Sequence, residues 1–249
     1  GYAHRATGDW ASAFGKANYA SYQSVALGIA NNANGTQSVA VGYANNATAR
    51  ETTALGRGTT ASALAATAVG RDSRATGDYA TAVGYNNTAV NRAGAFGYNN
   101  TASAQATTAI GYINKATGTY STAPGYANNA NVNSTAVGYT NNATEQNSSA
   151  FGAGNTASAQ RTTAVGYQNT ASAHDTTTLG RSNTASSTYA TAVGYSNEAT
   201  GEKATAIGYD NTATATDATV IGRSSHATAA QATAVGFGNT ATGGGGLAV

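Results

Sequence analysis

The sequence predicts an all-β fold, a β-solenoid whose coils are each about 14 residues long. Three observations lead to this prediction. A glycine returns every 13 or 14 residues from Gly1 to Gly236, which makes eighteen anchoring glycines. Alanine stands five residues after each of the eighteen, and asparagine stands three residues after fourteen of them. Repeats shorter than about 20 residues are typical of solenoids with one turn per unit, whereas helical repeats need about 30 or more.

Each unit carries the consensus Thr/Ser-Ala-Val-Gly-Tyr-x-Asn-x-Ala and then a variable stretch. Frequent Thr, Val and Asn disfavour helix, so we expect two short strands per coil. The first is the Thr-Ala-Val-Gly-Tyr segment, as in Thr81 to Tyr85, and the second lies in the variable stretch, as in Gly77 to Ala80. The Gly-Tyr-x-Asn-x-Ala segment is expected to turn the chain between them, because asparagine suits left-handed or side-chain-bonded turn positions.

Three units are one residue short, and their deletions fall in one segment of the repeat. In each case the missing residue lies between the fixed alanine and the next first strand, in Ala20 to Val25, Ala89 to Ala95 and Ala130 to Thr135. A deletion confined to one segment predicts a turn or bulge that tolerates it.

Residue size along the first strand predicts which face is interior. Side chains alternate faces along a strand, so Ala82 and Gly84 share one face while Thr81 and Val83 share the other. Only small residues fit inside a two-stranded roll, which places the aliphatic residues outside as a long apolar stripe extended by tyrosines; the reverse assignment stays open at this point. Such a stripe rarely stays in water, so we expect it to be buried in a closed oligomer. The predicted interface residues are Val41, Val69, Val83, Ile110, Val137, Val165, Val193 and Ile207.

Composition argues against several classes of function. The formal net charge is +2 with only 9% charged residues, and Arg50, Arg57, Arg71 and Arg74 are interspersed with acidic residues, so nucleic acid is not an expected partner. No cysteine is present, and His4, His174 and His226 form no obvious ligand set. We therefore expect no enzyme, no metal and no cofactor. No apolar run approaches the roughly 18 residues of a membrane-spanning helix.

Two segments carry a resemblance to a known family. Ser24-Val25-Ala26-Leu27-Gly28 and Ser38-Val39-Ala40-Val41-Gly42 resemble the Ser-Val-Ala-Ile-Gly repeat of YadA-like heads in trimeric autotransporter adhesins. The family pattern continues with serine three residues after the glycine and alanine two further on, which Ser73/Ala75 and Ser225/Ala227 match. The resemblance extends from about Gly1 to Ala241. Two departures stand out, since asparagine mostly replaces that serine and Thr-Ala commonly replaces Ser-Val.

The resemblance implies a homotrimer of left-handed parallel β-rolls at the tip of a bacterial surface fibre. It implies a non-catalytic adhesin, associated with virulence and the outer membrane, that binds host matrix proteins such as collagen, fibronectin or laminin. We expect residues 1–242 to form one rigid head, and the glycine-rich residues 243–249 to lead towards a neck, stalk and C-terminal membrane anchor outside this sequence.

Irregular positions and rival functions complete the predictions. Four aromatic residues occur nine residues after an anchoring glycine and are candidate ligand-binding anchors, with packing along the outer strand as the alternative: Trp10, Tyr79, Tyr120 and Tyr189. Pro124 removes an N–H from its strand and predicts a local defect. A threonine row raises ice binding as an alternative function, and a ligand-free fibre spacer is another. That row comprises Thr53, Thr67, Thr81, Thr163, Thr177, Thr191, Thr205, Thr219 and Thr233.

Overall fold

The computed structural model describes residues 4–249, so the first anchoring glycine, Gly1, lies outside the described residues. Every regular element among those residues is a β-strand, and each coil holds a longer and a shorter strand. The chain divides into two compact units, Gly1–Tyr126 and Ala127–Val249. The all-β solenoid predicted from the repeat is therefore confirmed within each unit, while the domain boundaries at 242 and 243 stay predictions.

The first unit alternates five-residue strands, here called long strands, with two-residue short strands. Its long strands are Ser12–Lys16, Val25–Ile29, Val39–Tyr43, Thr53–Arg57, Thr67–Arg71, Thr81–Tyr85, Gly94–Tyr98, Thr108–Tyr112 and Thr122–Tyr126. Its short strands are Arg5–Ala6, Tyr19–Ala20, Asn32–Ala33, Asn46–Ala47, Thr60–Ala61, Arg74–Ala75, Thr88–Ala89, Thr101–Ala102 and Lys115–Ala116.

The second unit repeats this alternation. Its long strands are Thr135–Tyr139, Ser149–Ala153, Thr163–Tyr167, Thr177–Arg181, Thr191–Tyr195, Thr205–Tyr209, Thr219–Arg223 and Thr233–Phe237, followed by the shorter Leu247–Ala248. Its short strands are Asn129–Ala130, Asn142–Ala143, Thr156–Ala157, Thr170–Ala171, Thr184–Ala185, Glu198–Ala199, Thr212–Ala213, His226–Ala227 and Thr240–Ala241.

Both strand types pair in parallel with the equivalent strand of the next coil. Thr67 aligns with Thr81 and Gly70 with Gly84, so like residues stack on like. In the second unit, Val193 aligns with Ile207 in the same way. Each coil therefore offers its neighbour the same pattern of backbone donors and acceptors, which is why a single repeated sequence can propagate the fold.

The position of the second strand was predicted incorrectly. Gly77 to Ala80, expected to be a strand, forms a turn, and the short strand Arg74–Ala75 lies in the segment that was expected to be the turn. In this turn the Ala80 N–H donates to the Gly77 carbonyl at 3.1 Å. We call the bend between the long and the short strand the first turn, and the bend after the short strand the second turn. The backbone hydrogen bond needs no particular side chain, which explains why the sequence of the second turn varies. In some coils a hydroxyl also donates to the equivalent carbonyl, as Thr52 does to that of Ala49 at 2.7 Å.

The interior of each unit is made of small side chains. Ala82 on the long strand and Ala89 on the short strand are both 0% exposed. The equivalent alanines from Ala20 to Ala241 are buried in the same way, whereas Ala6 and Ala13 in the first coil are not. Two larger side chains, Thr178 and Val220, occupy the interior alanine position and are also fully buried. The predicted face assignment is confirmed, since alanine lies inside and the aliphatic stripe lies outside.

A ladder of buried asparagines lines the first turn. Asn45 donates from Nδ2 to Asn31 Oδ1 at 2.9 Å, to the Val41 carbonyl at 2.9 Å and to the Gly56 carbonyl at 2.7 Å. An amide has two N–H bonds, so one of these three contacts shares a hydrogen. In the second unit, Asn155 accepts both the N–H and the Nδ2 of the next ladder residue, Asn169, at 3.0 Å. The ladder supplies the hydrogen bonds that water would otherwise make to the buried backbone groups of the turn.

The anchoring glycine is required by conformation and by space, as Gly84 illustrates. Its φ is +119°, where L-residues are rare, and an added Cβ would overlap the carbonyl oxygen of Gly97 in the next coil. This explains why the glycine is the fixed point of the repeat.

Two further predictions concern the short units and Pro124. In the short coils the second turn closes one residue earlier, as in Ala93 N–H to the Val90 carbonyl at 2.7 Å. The predicted location of the deletion is therefore confirmed. Pro124 pairs in register with Ile110 inside the strand Thr122–Tyr126, so the strand runs on through the proline.

Candidate functional site

The outer face of the long strands carries the predicted apolar stripe. Val83 is half-buried, as are the other valines of the predicted interface, whereas Ile110 is 43% exposed and Leu179 is 47% exposed. The stripe residues align from coil to coil, for example Val69 with Val83. Each unit thus presents a continuous apolar row whose burial needs another surface.

A second row follows the anchoring glycines on the same outer face and consists mainly of tyrosine and arginine. In the first unit Tyr85, Tyr98, Tyr112 and Tyr126 stack nearly parallel, with ring centroids 5.0, 4.7 and 5.1 Å apart. The Arg71 guanidinium lies 5.2 Å from the Tyr85 ring centroid. Because the ring faces are covered by neighbouring rings or guanidinium groups, the row presents ring edges and hydroxyls to solvent.

Arginines interrupt this row in the second unit as well. The Arg181 guanidinium lies 5.5 Å from the Tyr167 ring centroid and 5.4 Å from that of Tyr195. Sequence reasoning treated the tyrosines as an extension of the stripe and missed the arginines between them. The signal was present, since four arginines occupy the position after an anchoring glycine: Arg57, Arg71, Arg181 and Arg223.

The four predicted aromatic anchors lie in second turns and not on strands, so the alternative of packing along the outer strand is wrong. Tyr79 and Tyr189 are each 54% exposed, Tyr120 is 62% exposed and Trp10 is 79% exposed. All four have positive φ, from 57° at Trp10 to 62° at Tyr189. They occupy the same corner position of the coil, as their common spacing predicted, and their role in binding stays a prediction.

Two small grooves open to solvent lie along second turns, one in each unit. The first has a volume of about 230 Å³ and is lined by Asp78, Tyr79, Asn91, Arg92 and Gln105. The second, of about 260 Å³, is lined by Glu145, Ser158, Ala159, Gln160 and His174. A tyrosine lines the first groove and a histidine the second.

Several charged groups of the outer surface form local ion pairs. Arg161 donates to Asp175 from Nε at 2.7 Å and from Nη2 at 2.6 Å, joining the second turns of neighbouring coils. The hydrogen bond from Arg161 holds the pKa of the Asp175 carboxyl below its ordinary value. In the arginine cluster, Arg50 pairs with Glu51 at 3.0 Å and Arg71 with Asp72 at 3.3 Å. These pairs leave no dense basic surface there, as nucleic-acid binding would require.

Within residues 4–249, no three histidines, cysteines or acidic residues are grouped where they could hold a metal ion. Over the same range, no helix is long and apolar enough to pass through a bilayer.

The repeat of this chain matches a known family model. The family model of the YadA head domain repeat (2 copies) matches most of the chain, at residues 22–45, 47–73, 61–87, 95–112, 102–128, 130–155, 157–182, 174–197, 185–211, 199–225 and 213–239. No curated protein matches the chain.

Proposed function

Because the chain belongs to the family of YadA head domain repeats, the family of trimeric autotransporter adhesin heads, we propose that it is a non-enzymatic adhesin head that acts as a homotrimer. It is displayed on the bacterial surface, held at the outer membrane by segments beyond this sequence. It binds host matrix or cell surfaces through contacts that recur at several coils along the chain and again in each subunit.

The observation that carries this proposal is the exposed apolar stripe. Side chains such as Leu27, Ile110 and Ile221 remain more than 40% exposed in the single chain, at 45%, 43% and 43%. A continuous row of this kind is normally covered by a partner, and a closed ring of identical chains covers it without leaving an open end. The threonine row lies on the same outer face, so a trimer that covers the stripe competes with ice binding for this surface.

The adhesive mechanism follows from repetition. Each site on one chain appears three times around a homotrimer. Once one site is bound to a repetitive matrix protein, the others are held close to further binding positions, so the overall affinity exceeds that of any single weak contact. Collagen, fibronectin and laminin are the partners we propose. The exposed aromatic residues Trp10, Tyr79, Tyr120 and Tyr189 are the proposed contacts, since aromatic side chains are enriched in binding hot spots.

The mass of the purified protein in solution tests the assembly. Light scattering behind a sizing column should give about three times the chain mass of 24.5 kDa. A folded monomer would contradict the proposal. Binding of the trimer to immobilised collagen, fibronectin and laminin tests the adhesive function, and a trimer that binds none of them would favour the ligand-free spacer.

A further inference from the structure

The three short coils share a sequence signal in the coil that precedes them. The preceding coils carry Ala-Thr-Gly-Asp-Trp at residues 6–10, Ala-Thr-Gly-Asp-Tyr at residues 75–79 and Ala-Thr-Gly-Thr-Tyr at residues 116–120. Each segment ends on one of the corner aromatics, Trp10, Tyr79 or Tyr120. The fourth corner aromatic, Tyr189, precedes a coil of full length. An aromatic corner thus accompanies every short coil of the sequence.

The short coil draws its second turn inward. In a full-length coil, one extended residue separates the fixed alanine from the turn, as Ser62 separates Ala61 from Ala63. In the short coil after Tyr79 that residue is missing: Val90 follows Ala89 directly, donates its N–H to the Ala102 carbonyl at 3.0 Å and accepts from the Ala93 N–H at 2.7 Å. The strands on both sides stay in register, so the shorter connection protrudes less than its neighbours.

The groove beside Tyr79 is lined by three successive coils, of which the middle one is short. Asp78 and Tyr79 come from the coil before the short coil, Asn91 and Arg92 from the short coil, and Gln105 from the coil after it. The Asp78 carbonyl accepts the Arg92 N–H at 2.8 Å, which fixes the two walls relative to each other. At the first short coil the Asp9 carbonyl accepts the Gln23 N–H at 2.9 Å in the same arrangement, with Trp10 as the aromatic.

The backbone at these aromatics is strained. Tyr79 has φ of 58° and Trp10 has φ of 57°, a region where bulky side chains are outliers and which costs about 1 kcal/mol or more. Asparagine tolerates this conformation better, and Asn147 occupies the equivalent position at φ of 59°. Residues of many kinds occupy this left-handed position in the other coils, Ala65 and Lys203 among them, so the conformation belongs to the repeat and the aromatic rings follow it.

We propose that the groove beside Tyr79 binds one ring of a neutral sugar. Its volume of about 230 Å³ is below the roughly 300–1,000 Å³ of sites for larger ligands, and it suits a single six-membered ring. The carboxylate, guanidinium and amide groups that line it are planar groups that bind pairs of adjacent hydroxyls, and the tyrosine offers an apolar surface to sugar C–H groups. Asp78 and Arg92 together carry no net charge, which favours a neutral ring over an acidic one.

This inference deepens the proposed adhesive function and rests on it, because it names glycan as the chemistry recognised by the head. The test isolates the Tyr79 groove in a protein that carries Trp10→Asn and Tyr120→Asn. The probes are the methyl glycosides of glucose, galactose, mannose and N-acetylglucosamine, followed by saturation-transfer difference NMR. We expect saturation transfer to at least one glycoside and a measurable Kd.

Two further changes in that background should abolish the signal. Tyr79→Asn should weaken binding by about tenfold or more, and insertion of one threonine between Ala89 and Val90 should fill the groove. Tyr189→Asn is the matched control, since Tyr189 has the same 54% exposure as Tyr79 and faces a full-length coil; binding should remain unchanged. Circular dichroism confirms that each variant is folded.

The proposal is overturned if no glycoside receives saturation, or if Tyr189→Asn reduces binding as much as Tyr79→Asn does. If the chain forms a trimer and binds matrix protein but binds no glycoside, the sugar site is contradicted and the proposed adhesive function is not. A monomer that still binds a glycoside through Tyr79 keeps the site and contradicts the proposed assembly.

Discussion

At the scale of single residues, the glycine that anchors each coil has the strictest requirement. We predict that Gly194→Ala destabilises the protein by several kcal/mol, because a Cβ would adopt φ of +122° and overlap the Gly208 carbonyl oxygen. Gly238→Ala is the control, since Gly238 has φ of +67° with nothing within 4 Å of an added Cβ. It should cost only about 1 kcal/mol in urea denaturation. Equal losses in the two variants would mean that close packing between coils contributes nothing.

The asparagine ladder gives a second prediction at this scale. Asn169 is 0% exposed; its Nδ2 donates to the Gly180 carbonyl at 2.7 Å, and its Oδ1 accepts the Asn183 N–H at 3.0 Å. Asn169→Ala leaves several buried groups without partners and should cost about 3 kcal/mol or more, measured as the free energy of unfolding.

A serine at this position should restore part of that loss. Ser225 shows how, since its Oγ donates to the Gly236 carbonyl at 3.3 Å and accepts the Asn239 N–H at 3.1 Å. Asn169→Ser should therefore lie between wild type and Asn169→Ala. If serine proves no better than alanine, the hydrogen bonds are not what stabilises the ladder.

The sequence predicts the fixed alanines as interior because their size and alternation leave few options. It does not predict the ladder. Asparagine after a glycine is common in turns for purely local reasons, and nothing in one unit shows that its side chain reaches the next coil. That contact depends on the parallel register, which becomes visible only once the coils are stacked.

At the scale of strands and turns, the long strand was predictable and the short strand was not. Five residues of alternating size, as in Thr81–Tyr85, reveal a period of two. Two residues, as in Arg74–Ala75, cannot reveal any period, so a short strand and a turn look alike in sequence. The corner aromatics were predictable as one set, because they share a spacing from the anchoring glycine, but their location in a turn was not, since the second turn was mistaken for the second strand.

Pro124 provides the prediction for a single strand. Proline has no N–H to give to a parallel ladder, so its strand, Thr122–Tyr126, contributes one donor fewer than a strand with valine at that position. Pro124→Val should raise the free energy of unfolding by about 1 kcal/mol. The reverse change in another long strand of the same unit, Val69→Pro in Thr67–Arg71, should lower it by at least as much. A Pro124→Val protein no more stable than the parent would contradict the predicted defect.

At the scale of the whole molecule, repetition predicts the fold class but cannot by itself specify the assembly. The eighteen units show that coils stack on coils, because each unit has the same neighbours. The outer stripe shows that a further surface is required, yet an apolar row can be covered in more than one symmetric way. The trimeric state is indicated by the family of YadA head domain repeats and not by the repeat pattern itself.

Charge placed in the stripe tests whether this face holds the trimer together. Val83 and Val193 are half-buried in the single chain, so lysine at both positions can extend its charged end into water in a monomer. In a trimer the same ammonium groups would lie unpaired in an apolar interface, at a cost of several kcal/mol each. We expect the double variant to have a mass near 24.5 kDa in light scattering and to remain β-structured.

The control places lysine at Thr88 and Thr212 on the outer side of the short strands, where Lys115 already occupies the position equivalent to Thr88. This control should remain trimeric. A stripe variant that stays trimeric, or a control that dissociates equally, would show that the subunits meet through another face.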